Sequence, residues 1–208
     1  MSEKNVQKII DALTWSVTTV YMYATSCWKI PVFVVEKMDF KALEGIKKLF
    51  KGERFIMLTQ NDIDHGHDVF PLRFLHIRNH SDLLFWVDVL GNLQLKKSDL
   101  LKTLELELRT KMIQLREDYL SKSPQQFVDE ILYFMHVVRE GVLYLKDIEN
   151  IKESELIPTV DKHLKCDWKV FAHLYHTKVV SKDLSHTVEG INAYLQDLCD
   201  KIDARHVA

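Results

Sequence analysis

The chain predicts an α+β fold: a small mixed β-sheet followed by an antiparallel helical bundle. Residues 15–77 hold short runs rich in β-branched and aromatic side chains, which suit a pleated, half-buried surface. From Ser98 onward the apolar spacing changes to threes and fours, the period of a helix with one buried face. The connections are short and none is Gly/Ser-rich, so the two parts follow directly as domains 1–96 and 97–208.

Taken in order, residues 3–14 predict a helix with Val6, Ile9, Ile10 and Leu13 on one face. Trp15–Thr25 and Ile30–Glu36 predict two strands. The second is a near-continuous apolar run, as in a strand covered on both faces. Pro31 donates nothing to a ladder and is expected at its start. Too few residues join the two strands for a crossover helix, so the sheet is expected to be mixed. Asp39 is placed as the cap of a helix with Phe40, Leu43, Ile46 and Leu49 or Phe50 inward, ended by Lys51-Gly52. Arg54–Gln60 reads as a strand. Asn61–His65 forms a helical turn, with Asp62 near the N-cap and Gly66 left-handed. Alternation over residues 68–77 predicts the last strand, and 81–86 a short turn of helix.

In the second part, Ser98 is the expected N-cap of a helix reaching Leu120, with Leu101, Leu104, Leu108, Leu115 and Tyr119 aligned. Ser123-Pro124 opens the next, through Phe127, Ile131, Phe134, Val138, Val142 and Leu145. Helices are also expected over Glu153–Leu164 and Asp167–Thr177. Ser181 is placed as cap of a last helix with a seam from Leu184 to Ile202. Val128, Leu132 and Met135 add a second stripe to the 127–145 helix, which predicts a homodimer that covers it.

The stretch Asp68–Leu120 contains V-F-P-x-x-F-L-x-I-x-x-H-x-x-L, then D-V-L, then L-x-x-x-x-L-E-L-R-x-K-x-x-x-L-R-x-x-Y-L. It resembles a group of prokaryotic proteins of the nucleotidyltransferase-like (DNA polymerase β-like) superfamily that carry a helical tail. The resemblance implies a nucleotidyltransferase-like sheet domain. It also implies a Gly-Ser turn after the first strand and an Asp-x-Asp-like pair on the second. Two metal ions need such converging carboxylates to bridge a triphosphate and an attacking hydroxyl. This chain has Ala24-Thr25-Ser26 at the turn, and its second strand holds no acid until Glu36. The resemblance is therefore to a degenerate member, and no catalytic residue is assigned.

Composition fits an ordinary globular protein: 47% hydrophobic, 28% charged, net charge −2. That balance disfavours nucleic acid and anionic membrane as partners. Cys27, Cys166 and Cys199 are widely spaced with no CxxC, as expected of reduced thiols in a cytoplasmic protein. No run is long enough to span a bilayer, and the first residues lack the apolar core of a signal peptide.

Three constellations bear on chemistry. Ser26, Lys29, Arg73 and Arg109 are candidate contacts for a phosphate or nucleotide. Asp62, Asp64, His65 and His67 offer metal ligands, although one short loop wraps a tetrahedral ion poorly and a polar connection is the plainer reading. His136, His163, His173, His176 and His186 lie on the helical part without an accompanying E-x-x-H pattern. Lys102, Arg109, Lys111 and Arg116 are interleaved with Glu105, Glu107, Glu117 and Asp118, as on a solvated helix face. The expected function is a non-catalytic binding or interaction module, with a protein or nucleotide partner and no cofactor. The alternatives are a magnesium-dependent nucleotidyltransferase with unrecognised acids, or a metal-dependent hydrolase using the 62–68 cluster.

Overall fold

The computed structural model describes residues 3–13, 16–24, 29–49, 54–148 and 184–203, with 169, 171, 173 and 174. The fold is α+β, and the chain divides into two compact units, Met1–Leu95 and Lys96–Ala208. No described helix is long and apolar enough to cross a membrane.

The first unit contains α1 (Glu3–Leu13), β1 (Val17–Ala24), β2 (Lys29–Val35), α2 (Phe40–Leu49), β3 (Ile56–Thr59), α3 (Gln60–Gly66), α4 (Pro71–Asn79) and β4 (Ser81–Trp86). The strands form one mixed sheet in the order β3-β2-β1-β4. β1 pairs antiparallel with both β2 and β4, and β2 pairs parallel with β3. Pro31 pairs with Met22 on the β1 side, and β3 begins only opposite Val32. The missing N–H of Pro31 therefore costs the β2–β3 ladder nothing.

The two faces of the hairpin explain its apolar composition. Val20, Met22, Phe33 and Val35 join Val6, Ile9, Ile10 and Leu13 of α1 and Ile46 of α2 in one buried cluster. On β1's alternate positions, Tyr21 reaches Asp88 and the Tyr23 ring meets His76 of α4 edge-on at 5.7 Å. A strand covered on both faces has no polar side to display. Asp39 accepts from the Lys41 N–H at 2.9 Å at the start of α2. Phe40, expected inward, is exposed, while Leu43 packs against the cluster. The proposed Lys51-Gly52 end lies outside the described residues.

The largest correction concerns residues 68–86. The expected strand over 68–77 is the helix α4, and the expected helical turn over 81–86 is the strand β4. α4 starts with Pro71 at its first position, where the absent N–H and fixed φ suit a helix. It buries Leu72, Phe74, Leu75, His76 and Ile77. A helix buried on most of its circumference has no clear period, so neighbouring apolar residues imitate alternation. Ser-Asp-Leu-Leu-Phe-Trp instead pairs with Thr19–Tyr23 of β1, with a register shift where Leu84 is inserted.

The second unit contains α5 (Lys97–Ser121), α6 (Pro124–Leu145) and α7 (Leu184–Asp203), and α5 packs against both others. Ser123 caps α6 as expected: its hydroxyl accepts from the Gln126 N–H, and the Gln126 side chain accepts from the Ser123 N–H. Ser98 does not cap α5. Lys96 holds the N-cap position without a side-chain bond, and Ser98 lies inside the helix. The buried face of α5 is Leu100, Leu104, Leu108, Lys111, Leu115 and Asp118, whereas Tyr119 is exposed. Lys111 and Asp118 occupy seam positions because they close an ion pair of 2.8 Å with each other. Of the stripe offered above as a dimer surface, Val128 and Met135 are fully buried within the chain and Leu132 is half-buried. On α7, Ile191, Leu195, Leu198 and Ile202 are buried as the seam predicts. The helices expected over 153–164 and 167–177 and the Ser181 cap lie largely or wholly outside the described residues.

Candidate functional site

A cleft of about 480 Å3 lies in the first unit, between α3 and the segment after β4. Gln60, Ile63, Asp64 and His67 form one wall, and Val87, Asp88, Val89, Asn92, Leu93 and Gln94 the other. Its size falls within the ~300–1,000 Å3 of ordinary small-molecule sites.

The α3 wall is fixed at its start by a capping box. Thr59 Oγ1 accepts from the Asp62 N–H at 3.0 Å, and Asp62 Oδ2 accepts from the Thr59 N–H at 2.7 Å. Thr59 is therefore the N-cap, and Asp62, expected near it, is its capping-box partner. Gly66 closes the helix without a left-handed φ, and His67 follows in the right-handed region. Gln60 Nε2 donates to Asp64 Oδ1 at 2.9 Å. His67 Nδ1 lies 3.0 Å from the Ile63 carbonyl, which only accepts, so Nδ1 carries the proton. In the neutral ring, Nε2 then holds a lone pair.

The opposite wall is the Asp88-Val89-Leu90-Gly91-Asn92 segment, anchored by the sheet. Tyr21 Oη donates to Asp88 Oδ1 at 2.9 Å and accepts from the N–H groups of Val89 (2.7 Å) and Leu90 (3.0 Å). The same Asp88 oxygen accepts from the Gly91 N–H at 2.8 Å, and Asn92 Nδ2 donates to the Asp88 carbonyl at 3.0 Å. Thr19 Oγ1 donates to the Val87 carbonyl, and Arg78 Nη1 to that of Leu93. Burial pushes the Tyr21 phenol up to about 12, and the neighbouring Asp88 carboxylate acts in the same direction. Gly91 is required by close approach: a Cβ there would stand 2.3 Å from Asp88 Oδ2. The D-V-L of the resemblance is thus the segment Tyr21 holds.

Of the sequence candidates for a metal, Asp64 and His67 reach the cleft, and Asp62 and His65 do not. Among the described residues, no three ligand atoms drawn from Asp62, Asp64, His65, His67 and Asp68 come within 4.8 Å of one another. The phosphate candidates fall on different elements. Lys29 is exposed at the start of β2, Arg73 is exposed on α4, and Ser26 lies outside the described residues. In the other unit, Arg109 forms a 2.8 Å ion pair with Glu105 one turn away. Sequence reasoning missed Asp88, Asn92 and Gln94. Their signal was the acid-and-amide run D-V-L-G-N-L-Q, which closes no motif by itself. The described lining offers two carboxylates, an imidazole, three amides and apolar ground from Ile63, Val87, Val89 and Leu93, but neither lysine nor arginine. Such a surface accepts hydrogen bonds and attracts positive charge. Neither a protein-family model nor a curated protein matches this sequence.

Proposed function

We propose that this chain is a non-catalytic binding module on a nucleotidyltransferase-like scaffold, and that it takes a small ligand in the cleft between α3 and residues 87–94. The observation that carries the reading is the central hairpin. β1 and β2, the two inner strands, hold no carboxylate along Val17–Ala24 or Lys29–Val35. Two-metal phosphoryl chemistry needs acids converging from adjacent strands, and none is supplied there. The lining of the cleft supports a ligand that is cationic or rich in hydrogen-bond donors, and its carboxylates repel a bare phosphate. We infer a cytoplasmic protein from the spacing of its cysteines.

The test is one preparation read in two ways. Incubation with labelled nucleoside triphosphates and magnesium or manganese is expected to yield no labelled product. In the same sample, an amine-bearing fragment set is expected to shift the backbone amide signals of Asp64, His67 and Asn92 in NMR spectra. Chelator-sensitive incorporation of label would return the chain to the enzymes. Fragment binding that leaves these three amides unmoved would remove the cleft.

A further inference from the structure

Each wall of the cleft keeps one carboxylate oxygen uncommitted among the described residues. On α3, Asp64 Oδ1 accepts from Gln60 Nε2, and Oδ2 takes no bond. On the facing segment, Asp88 Oδ1 accepts from the Tyr21 hydroxyl and the Gly91 N–H, and again Oδ2 takes none. Asn92 gives an N–H to the Asp88 carbonyl, which leaves its own amide oxygen as an acceptor. His67 Nε2 adds a lone pair, since Nδ1 donates to the Ile63 carbonyl. Acceptors therefore stand on both walls, two of them charged, and the described lining holds neither lysine nor arginine.

The spacing of these groups decides the kind of cation. A divalent metal ion sits about 2.0–2.6 Å from each of its oxygen or nitrogen ligands, so ligands that share one ion lie within roughly 5 Å of each other. Asp64, His67 and Asp88 do not converge in this way: among the described residues their ligand atoms do not all fall within 4.8 Å of one another. One small ion therefore cannot take all three as ligands. An extended cation needs no such convergence, because its two ends address the walls separately. Ile63 on one wall and Val89 and Leu93 on the other give apolar ground, which suits a hydrocarbon spacer. A primary ammonium carries three N–H donors and no acceptor, and so matches walls of acceptors.

We propose that the cleft binds aliphatic diammonium ions, with one ammonium on Asp64, the other on Asp88, and the methylene chain against the apolar side chains. The proposal rests on the reading of this cleft as a small-molecule site and names the ligand class for it. Both carboxylates are exposed, so a single ion pair at either is screened and weak. Joining two ammonium groups on one chain makes the second contact intramolecular, which gives a diamine its advantage over a monoamine. Each carboxylate is already oriented through its Oδ1 bonds, which lowers the ordering cost of binding.

The full chain should be titrated at neutral pH with tetramethylenediamine, hexamethylenediamine, the matching monoamines butylamine and hexylamine, and magnesium chloride. The backbone amide signals of Asp64, His67 and Asn92 in NMR spectra report the cleft. The better diamine is expected to bind at least ~fivefold tighter than its monoamine, beyond the ~twofold that two equivalent ends give statistically. On Asp64→Asn that ratio should fall to about twofold, because only Asp88 remains charged. If the variant fails to fold, the ratio on the parent chain still decides. Monoamine and diamine that move the three amides with equal affinity would overturn the diammonium assignment and leave the cleft as a site. So would an unchanged ratio on folded Asp64→Asn, or saturation by magnesium at lower concentration than by either diamine. Amides that stay unmoved with every probe would overturn the proposal and the cleft together.

Discussion

Tyr21 and Asp88, on the sheet and on the segment after it, share a hydrogen bond of 2.9 Å, and the same phenol oxygen accepts two backbone N–H groups. One hydroxyl thus holds three points of the cleft wall. Tyr21→Phe should destabilise the chain by about 2–3 kcal/mol, because a buried amide, Leu90, and a part-buried one, Val89, lose their acceptor. The check is urea unfolding of both proteins. The pH dependence has a definite sign. The folded phenol titrates above its unfolded value, so the neutral form is favoured by folding. Its contribution is fully present below pH ~10 and is lost as pH rises through about 12. The stability gap between parent and variant should narrow across that window.

Gly91→Ala should act on the same wall by sterics. The new methyl would meet Asp88 Oδ2 at 2.3 Å, and that carboxylate is tied to Tyr21 and cannot swing freely. A loss of about 1–3 kcal/mol is expected. A Gly91→Ala, Asp88→Ala double variant should lose less than the sum of the single changes, because the clash needs both groups. Additive losses would show that Gly91 matters for another reason.

The ion pair inside the second unit gives an acid-side prediction. Burial pulls the Asp118 carboxyl up, but hydrogen bonds from Lys111 and Lys122 outweigh it and hold the group below its usual range. Lys122 also pairs with Glu130. The folded value is depressed, so the stabilisation is present above pH ~4 and falls away as pH drops through the folded value. The gap between the parent and Asp118→Asn should shrink in acid. At neutral pH, Lys111→Ala should cost about 2–3 kcal/mol, less than a fully broken buried pair, because Lys122 stays at 2.7 Å.

Two serines separate a working cap from a nominal one. Ser123→Ala should cost ~1 kcal/mol, since its hydroxyl caps α6. Ser98→Ala should be within ~0.5 kcal/mol of neutral, because Ser98 sits inside α5 and, among the described residues, its hydroxyl reaches only Asp99, at 3.3 Å. Thermal melts of the two variants side by side make the comparison. Equal losses would contradict the cap assignments.

Much of the fold was legible because local pattern and burial agree. The inward face of α1, the β1–β2 hairpin and the capped start of α6 follow from spacing alone. The exchange of helix and strand over residues 68–86 was illegible by period, because α4 is covered on most sides. Pro71 was the better signal. On α5, Lys111 and Asp118 read as surface charges since each alone belongs in water, and only their pairing makes the seam possible. The cleft was half legible. Asp64 and His67 stand out in a dense polar cluster, whereas Asp88 is placed by a tyrosine 67 residues earlier in the chain.

The strand order β3-β2-β1-β4 also fixes a sequence of events during synthesis. β1 meets β2 across the four residues 25–28, but it waits for residues 81–86 before its other side is paired. Closing that longer loop carries a larger entropic cost. A chain leaving the ribosome therefore presents Thr19–Tyr23 as a bare ladder until Trp86 has emerged. Through that interval Tyr21 has no Asp88 to hold. The first unit becomes complete only when its last strand inserts beside its first, so premature termination anywhere before residue 86 should leave a sticky hairpin instead of a shorter stable domain.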